Sequence, residues 1–319
     1  MILGRKLQSI AVMAIMVLFA ISATAGTGTS KTGTRVFNFL KIEVAARPTA
    51  MGGAFTGVAD DEASLFYNPA GVTNLEGKHF IAGYHNTIFD MQSGFVGFIF
   101  PAGSQGRFSG FIDYLSYGDF IRTSSEGEEL GTFGGSDMLF GLSYSRLLKP
   151  EIAIGGTLKF IYEKIDEYSS TGVAVDLSAK FALPDNRTTL GLAVQNLGTQ
   201  LSKFTDNSDS SPLPIIIRGG FAGYLKGMPV LFAADLIYPT DNELCFAIGA
   251  EYLNLKPLFI RAGWSSFGSN YKTDSNNDKL AGFSAGFGLN YNRMQISYAI
   301  SPQADLGTTH RVTLSGGIN

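Results

Sequence analysis

Cysteine is almost absent from this chain: Cys245 is the one thiol in 319 residues. That excludes an intramolecular disulfide and a cage of thiolate metal ligands, and leaves Cys245 as a small apolar side chain. Charge is sparse as well, 16% of residues with a net of -3 at pH 7. No basic cluster tracks a phosphate backbone, so nucleic acid is excluded as a partner. Beyond the leader no apolar run approaches the ~18 residues that mark a membrane helix. The three histidines, His79, His85 and His310, have no orienting carboxylate beside them in the sequence, and no catalytic residues are assigned.

Glycine is what the chain has in excess, 39 residues, about one in eight against an average usage of roughly 7%. Phenylalanine (25) and tyrosine (13) are abundant too. This composition suits many strands, tight turns and large aromatic surfaces. At the start, Arg5 and Lys6 precede an apolar run from Ile10 to Ile21, followed by Ala23-Thr24-Ala25. These are the three regions of a secretory signal peptide, with cleavage expected after Ala25. The expected organisation is a signal peptide over 1–25, a leader and plug over 26–77, and a barrel over 78–319.

From Lys78 onward, hydrophobicity alternates with period two in segments of about eight to twelve residues. Val175, Leu177, Ala179 and Phe181 alternate with Asp176, Ser178 and Lys180. Met294, Ile296 and Tyr298 alternate with Gln295 and Ser297. About 14 such segments follow one another, the pattern of an all-β transmembrane antiparallel barrel. Short turns, such as 148–151 and 254–256, alternate with longer polar loops, such as Ser116–Ser136 and Gly198–Pro212. One rim then faces the periplasm, and an even strand count puts both termini there. Tyr114, Tyr144, Tyr252 and Trp264 fall near strand ends, where amphipathic rings suit a membrane interface.

The same alternation assigns Lys159, Asp176, Lys180, Arg218, Asp235, Glu251 and Arg261 to the lumen. A charge turned toward lipid near the midplane would cost roughly 2–4 kcal/mol. These groups form either an interior network or a polar path. The string Gly282-Phe283-Ser284-Ala285-Gly286 matches the G-x-S-x-G of serine hydrolases. It lies inside an alternating strand with no helix behind it, so a nucleophile elbow is not expected there.

One stretch escapes the strand pattern: Arg47 to Gly71, RPTAMGGAFTGVADDEASLFYNPAG. Gly52-Gly53 and Gly57 allow tight bends or close packing. Asp60 and Asp61 stand where N-caps would open a short helix over Glu62–Tyr67, which Asn68-Pro69 stops. Asp60-Asp61-Glu62 lacks the alternating carboxylates of a calcium loop, so neither metal nor cofactor is expected. With only strands around it, this stretch is expected to plug the barrel.

The run from Phe39 to Gly71, FLKIEVAARPTAMGGAFTGVADDEASLFYNPAG, resembles the N-terminal signature of the PorV/PorQ family. The resemblance continues through Gly141–Tyr144, Gly155-Gly156, Lys159, Asp176 and Gln195–Gly198. That family is related to the FadL-type barrel. The resemblance implies a 14-strand barrel with an N-terminal plug in a Gram-negative-type outer membrane, in contact with its lipid. It also implies that Asn68, Pro69 and Ala70, with Gly52 and Gly53, are candidates for the plug and a lateral opening. Two functions follow from it. The first is a component of type IX-like protein secretion or surface assembly, with secretion-system proteins or secreted cargo as partners. The alternative is a FadL-like channel for hydrophobic, fatty-acid-like small molecules. Neither is an enzyme.

Overall fold

The computed structural model describes residues 34–205, 209–273 and 275–318. The expected signal peptide lies outside them. Alternating segments become strands β1 (Lys78–Asn86), β2 (Gln92–Ala102), β3 (Gly106–Thr123), β4 (Glu129–Lys149), β5 (Ile152–Ile165), β6 (Tyr168–Ala182) and β7 (Thr188–Ser202). The second half comprises β8 (Ile216–Tyr224), β9 (Val230–Pro239), β10 (Cys245–Leu255) and β11 (Leu258–Ser265). It ends with β12 (Phe283–Tyr291), β13 (Met294–Pro302) and β14 (Thr308–Ile318). Each strand pairs antiparallel with its chain neighbour, and β1 closes on β14 from Lys78↔Ile318 to Asn86↔His310. The result is a closed 14-strand antiparallel barrel.

Apolar side chains point both ways through its wall. In β2, Phe95 and Ile99 are buried inside, whereas Val96, Phe98 and Phe100 are exposed. The outer surface carries a continuous series of such residues, among them Leu142, Leu158, Phe160, Leu177, Phe246 and Ile260. Leu142 keeps 69% of its surface exposed and Leu177 55%.

Parts of the expected loops are strand instead. Ser116–Ser136 is mostly a ribbon in which β3 and β4 stay paired as far as Thr123↔Glu129. Both faces of this ribbon are wet, so no one-sided alternation marks it in the sequence. Lys164–Ser169 narrows to a turn at Asp166-Glu167, between Ile165 and Tyr168.

The wall steps down between β7 and β8. Beside β6, β7 runs to Ser202, but it pairs with β8 only as far as Gln195↔Ile216. At that point Asn196 takes a left-handed backbone (φ 62°), and β7 places two residues opposite Asp176. This is a β-bulge, which bends the strand and re-aims a side chain.

Residues 34–77 lie inside the barrel. They include helix α1 (Ala46–Ala50), helix α2 (Ser64–Tyr67) and 3-10 turns at Asn38–Lys41 and Pro69–Asn74. The expected helix over Glu62–Tyr67 is shorter, beginning at Ser64. Asp61 Oδ1 accepts from the Ala63 amide at 2.9 Å, while Asp60 turns away to Arg47. Helix α1 was not legible, because Pro48 suggests a break; it falls in the first turn, where a missing N–H costs nothing. The aromatic and large apolar side chains of the inner segment meet those of β2–β5. Phe66 meets the rings of Phe95 and Phe111 edge-on at 5.1 and 4.9 Å, and Phe39 and Leu65 join Leu139 and Ile161 in the same apolar core.

Candidate functional site

Inward-facing polar groups of the wall hold this inner segment. Arg47 donates to Glu251 of β10 and to Asp60 and Asp61 of its own segment. Glu251 also accepts from Arg261 of β11, only 1% exposed, whose remaining nitrogens reach Ser297 and Gln295 of β13. Asp235 of β9 accepts from the amides of Phe55 and Thr56 at 3.1 and 2.8 Å. Lys180 of β6 donates to the carbonyls of Val58 and Ala59 at 2.6 and 2.7 Å. Lys159 pairs with Asp176 at 2.7 Å and donates to Asn196 Oδ1 at 2.8 Å, pinning the bulge. Arg218 of β8 donates to Gln195 at 3.0 Å and lies over the Tyr67 ring. All seven charges named from the sequence are buried, and they spread around the lumen rather than gathering at one point.

The Asp61 carboxyl is pushed up to about 6 by burial, against the pull of Arg47 and with Asp60 and Glu62 adding to the rise. Among the described residues, no cluster of His, Cys, Asp and Glu is arranged to hold a metal ion.

Glycines bring the two backbones together. A Cβ on Gly57 would stand 2.7 Å from the Phe221 carbonyl carbon and 2.8 Å from that of Gly220. Gly52 takes φ 67°, and a Cβ there would strike the Trp264 backbone at 2.6 Å. The Gly52 amide donates to Ser284 Oγ at 3.0 Å, which gives that serine a docking role within β12. Gly53 also has a left-handed backbone and lies against the Glu43 side chain. Asn68 is fully buried, and its Nδ2 donates to the Thr56 and Ala179 carbonyls at 2.9 and 3.1 Å. The Pro69 carbonyl accepts from Ser145, and the Ala70 amide donates to Ser178. Behind this triplet β5 and β6 are paired in unbroken register from Ile152 to Ile165. The step in the wall lies elsewhere, between β7 and β8.

A cavity of about 300 Å³ opens between residues 38–43, the floor at Thr49 and Gly52, and the wall from β8 round to β1. It lies at the end of the barrel where the longer connections gather. Ile88, Ile216, Ile237 and Phe267 make much of its lining apolar, and His85, Arg218 and Arg311 add polar groups. Across residues 39–44, a smaller cavity of about 40 Å³ is lined by Tyr67, Gln195 and, again, Arg218.

Sequence reasoning missed Arg47, Arg311, His85 and the Lys41–Asp241 pair, which ties the inner segment to the β9–β10 connection at 2.6 Å. Arg311 was within reach of the method. It shares a face of β14 with the buried Thr309, Thr313 and Ser315, opposite the exposed Val312.

No protein-family model and no curated protein matches the chain. Solved structures do. A TodX monoaromatic hydrocarbon channel lacking S2 and S3 superposes with a TM-score of 0.63 at 14% identity, over 86% of this chain and 99% of that one. The Ralstonia pickettii toluene transporter TbuX gives 0.61 at 14%, over 89% and 100%. A Pseudomonas aeruginosa FadL homologue gives 0.52 at 12%, over 85% and 97%. The fold is that of the FadL-like outer-membrane barrels.

Proposed function

We propose that this protein is an outer-membrane channel for hydrophobic small molecules, with residues 34–77 as its plug. The observation that carries this reading is the outer cavity: a largely apolar chamber above an inner segment that fills the rest of the lumen. Ligand sites are typically concave and mostly apolar, with a few placed polar groups. The apolar exterior supports residence in a bilayer, where a closed barrel leaves no unpaired strand edge in lipid. Export with a cleaved signal peptide and contact with outer-membrane lipid belong to the same reading, as does the absence of an enzymatic role.

The finer PorV/PorQ assignment, and with it secretion-system or cargo partners, rests on the sequence resemblance alone and is the weaker reading. The deciding experiment is a deletion strain assayed both for uptake of labelled toluene and octanoate and for secreted surface proteins. Lost uptake with normal secretion is expected. Normal uptake with lost secretion would reverse the choice.

The Asn68-Pro69-Ala70 triplet is, in this reading, an anchor of the plug to the β4–β6 wall. Gly52 and Gly53 form the bend by which the plug crosses the lumen.

A further inference from the structure

The two rims of the barrel carry opposite charge. The longer outer connections are acidic: Asp119, Glu126, Glu128 and Glu129 are exposed on the β3–β4 ribbon, and Glu243 and Asp305 further round. The short turns of the other rim are basic. Five of the six carry a cation: Lys149 at β4–β5, Arg187 at β6–β7, Lys226 at β8–β9, Lys256 at β10–β11 and Arg293 at β12–β13. Arg146 and Lys78 lie at the same level, and all seven side chains are exposed. Against them stand Glu76, Glu151 and Asp185. Asp185 is spent on its own turn, where it accepts from the Arg187 and Thr188 amides at 3.0 Å. Among the described residues, Lys78, Arg146, Lys149, Arg187, Lys226 and Lys256 make no salt bridge.

These cations begin where the apolar exterior stops. Along the outward row of β4, the exposed Phe140, Leu142 and Tyr144 are followed by Arg146. The exposed Tyr252 precedes Lys256, and Tyr291 precedes Arg293. A ring with its body in the acyl chains, then a cation, suits the headgroup level of a bilayer. The distribution also chooses between occupants. A folded protein would cover one sector of the rim, whereas turns from β4–β5 round to β12–β13 span most of the circumference, as surrounding lipid does.

We propose that the periplasmic rim is a binding surface for anionic phospholipid, whose headgroup phosphates the turn cations hold as an annulus. Cations at a membrane surface attract acidic lipid over about a Debye length. The proposal rests on residence in a bilayer with the short turns toward the periplasm, and is independent of what passes through the lumen.

The test is electron spin resonance of spin-labelled phosphatidylglycerol and phosphatidylcholine in phosphatidylcholine vesicles that contain the full chain. In low salt the native chain is expected to immobilise phosphatidylglycerol in preference by about fivefold. At about 1 M NaCl, where the Debye length is near 3 Å, the two lipids should become equal. Combining Arg146→Gln, Lys149→Gln, Arg187→Gln, Lys226→Gln and Lys256→Gln should abolish the preference. Combining Lys164→Gln, Lys272→Gln and Lys279→Gln, at the outer rim, should keep it. Heat-shifted mobility on an unboiled gel verifies that each variant is folded. If the five-site variant does not fold, the salt result and a reduced ratio in Lys226→Gln and Lys256→Gln decide. Equal immobilisation of the two lipids by the native chain in low salt overturns the proposal. So does a preference that survives in the folded five-site variant, or one that vanishes in the outer-rim variant. Release of the labelled lipid by soluble polyglutamate would also overturn it, and would assign the rim to an acidic protein. Each of these leaves residence in the bilayer standing; immobilisation of neither lipid overturns both.

Discussion

Arg47 and Glu251 meet as a two-pronged fork: Nε donates to Oε2 at 2.9 Å and Nη2 to Oε1 at 3.0 Å. The third nitrogen of the same guanidinium turns back to Asp60 and Asp61. One side chain therefore joins the inner segment to β10 and closes the segment on itself. Arg47→Met would leave Glu251 with Arg261 alone and strand Asp61. Removing one partner of a buried pair costs about 3–5 kcal/mol, and the low end applies because Asp60 is partly exposed. The variant should leak small solutes from proteoliposomes while its barrel stays heat-shifted on a gel. Unchanged permeability would show that the fork does not hold the segment.

Gly57 is expected to admit no side chain. A valine there has no space before the Gly220-Phe221 backbone. Gly57→Val should displace the segment and raise permeability to a level near that of its deletion. Gly94→Ala, whose new carbon would have the Gly83 carbonyl at 3.6 Å as its nearest contact, should match the native chain in the same assay.

Asn68 serves two carbonyls on different elements, Thr56 of the inner segment and Ala179 of β6. Asn68→Leu preserves bulk and removes both donors. The expected cost is about 1–3 kcal/mol, seen as a lower urea midpoint for quenching of Trp264, whose backbone borders Gly52. A midpoint equal to native would mean that shape alone anchors the triplet.

The Asp61 carboxyl, pushed up to about 6 from an ordinary 3.8, gives docking a pH dependence. The docked state holds a proton that the released segment gives up, so this group's contribution is fully present below its ordinary value and lost as pH rises to 6. Permeability should therefore increase between pH 4 and pH 6. Asp61→Asn should flatten the rise; an undiminished rise would assign it to another group.

Deleting 47–71 should leave a folded barrel that conducts small solutes. A deletion variant that folds and stays closed would mean that this stretch does not plug the lumen.

Strand number and location were legible because a wall with two different faces imposes period two; β1 and β14 begin and end where the alternation does. The β3–β4 ribbon was not, since water lies on both its faces. The inner segment announced itself by failing to alternate, yet its partners did not. Arg47 and Glu251 are 204 residues apart, and nothing local in either records the other. The cavity was hidden for a related reason. Its lining comes from many strands, their connections and the inner segment together, so it belongs to no motif. Gly52-Gly53 and Gly57 were visible as positions of tight bends or close packing; what they approach, Trp264, Gly220 and Phe221, was not.

The seam between β1 and β14 bears on the order of assembly. Residues 75–77 alone separate the 3-10 turn at Pro69–Asn74 from β1, which β14 must reach across to close the ring. Two of the contacts that seat the start of the inner segment come from that same closing strand: Thr313 accepts from the Ala46 amide, and Arg311 donates to the Glu43 carbonyl. The seat of the segment is therefore incomplete until the strand made after the other thirteen arrives. A chain arrested before β14 would lack both the closed seam and these two contacts of the inner segment.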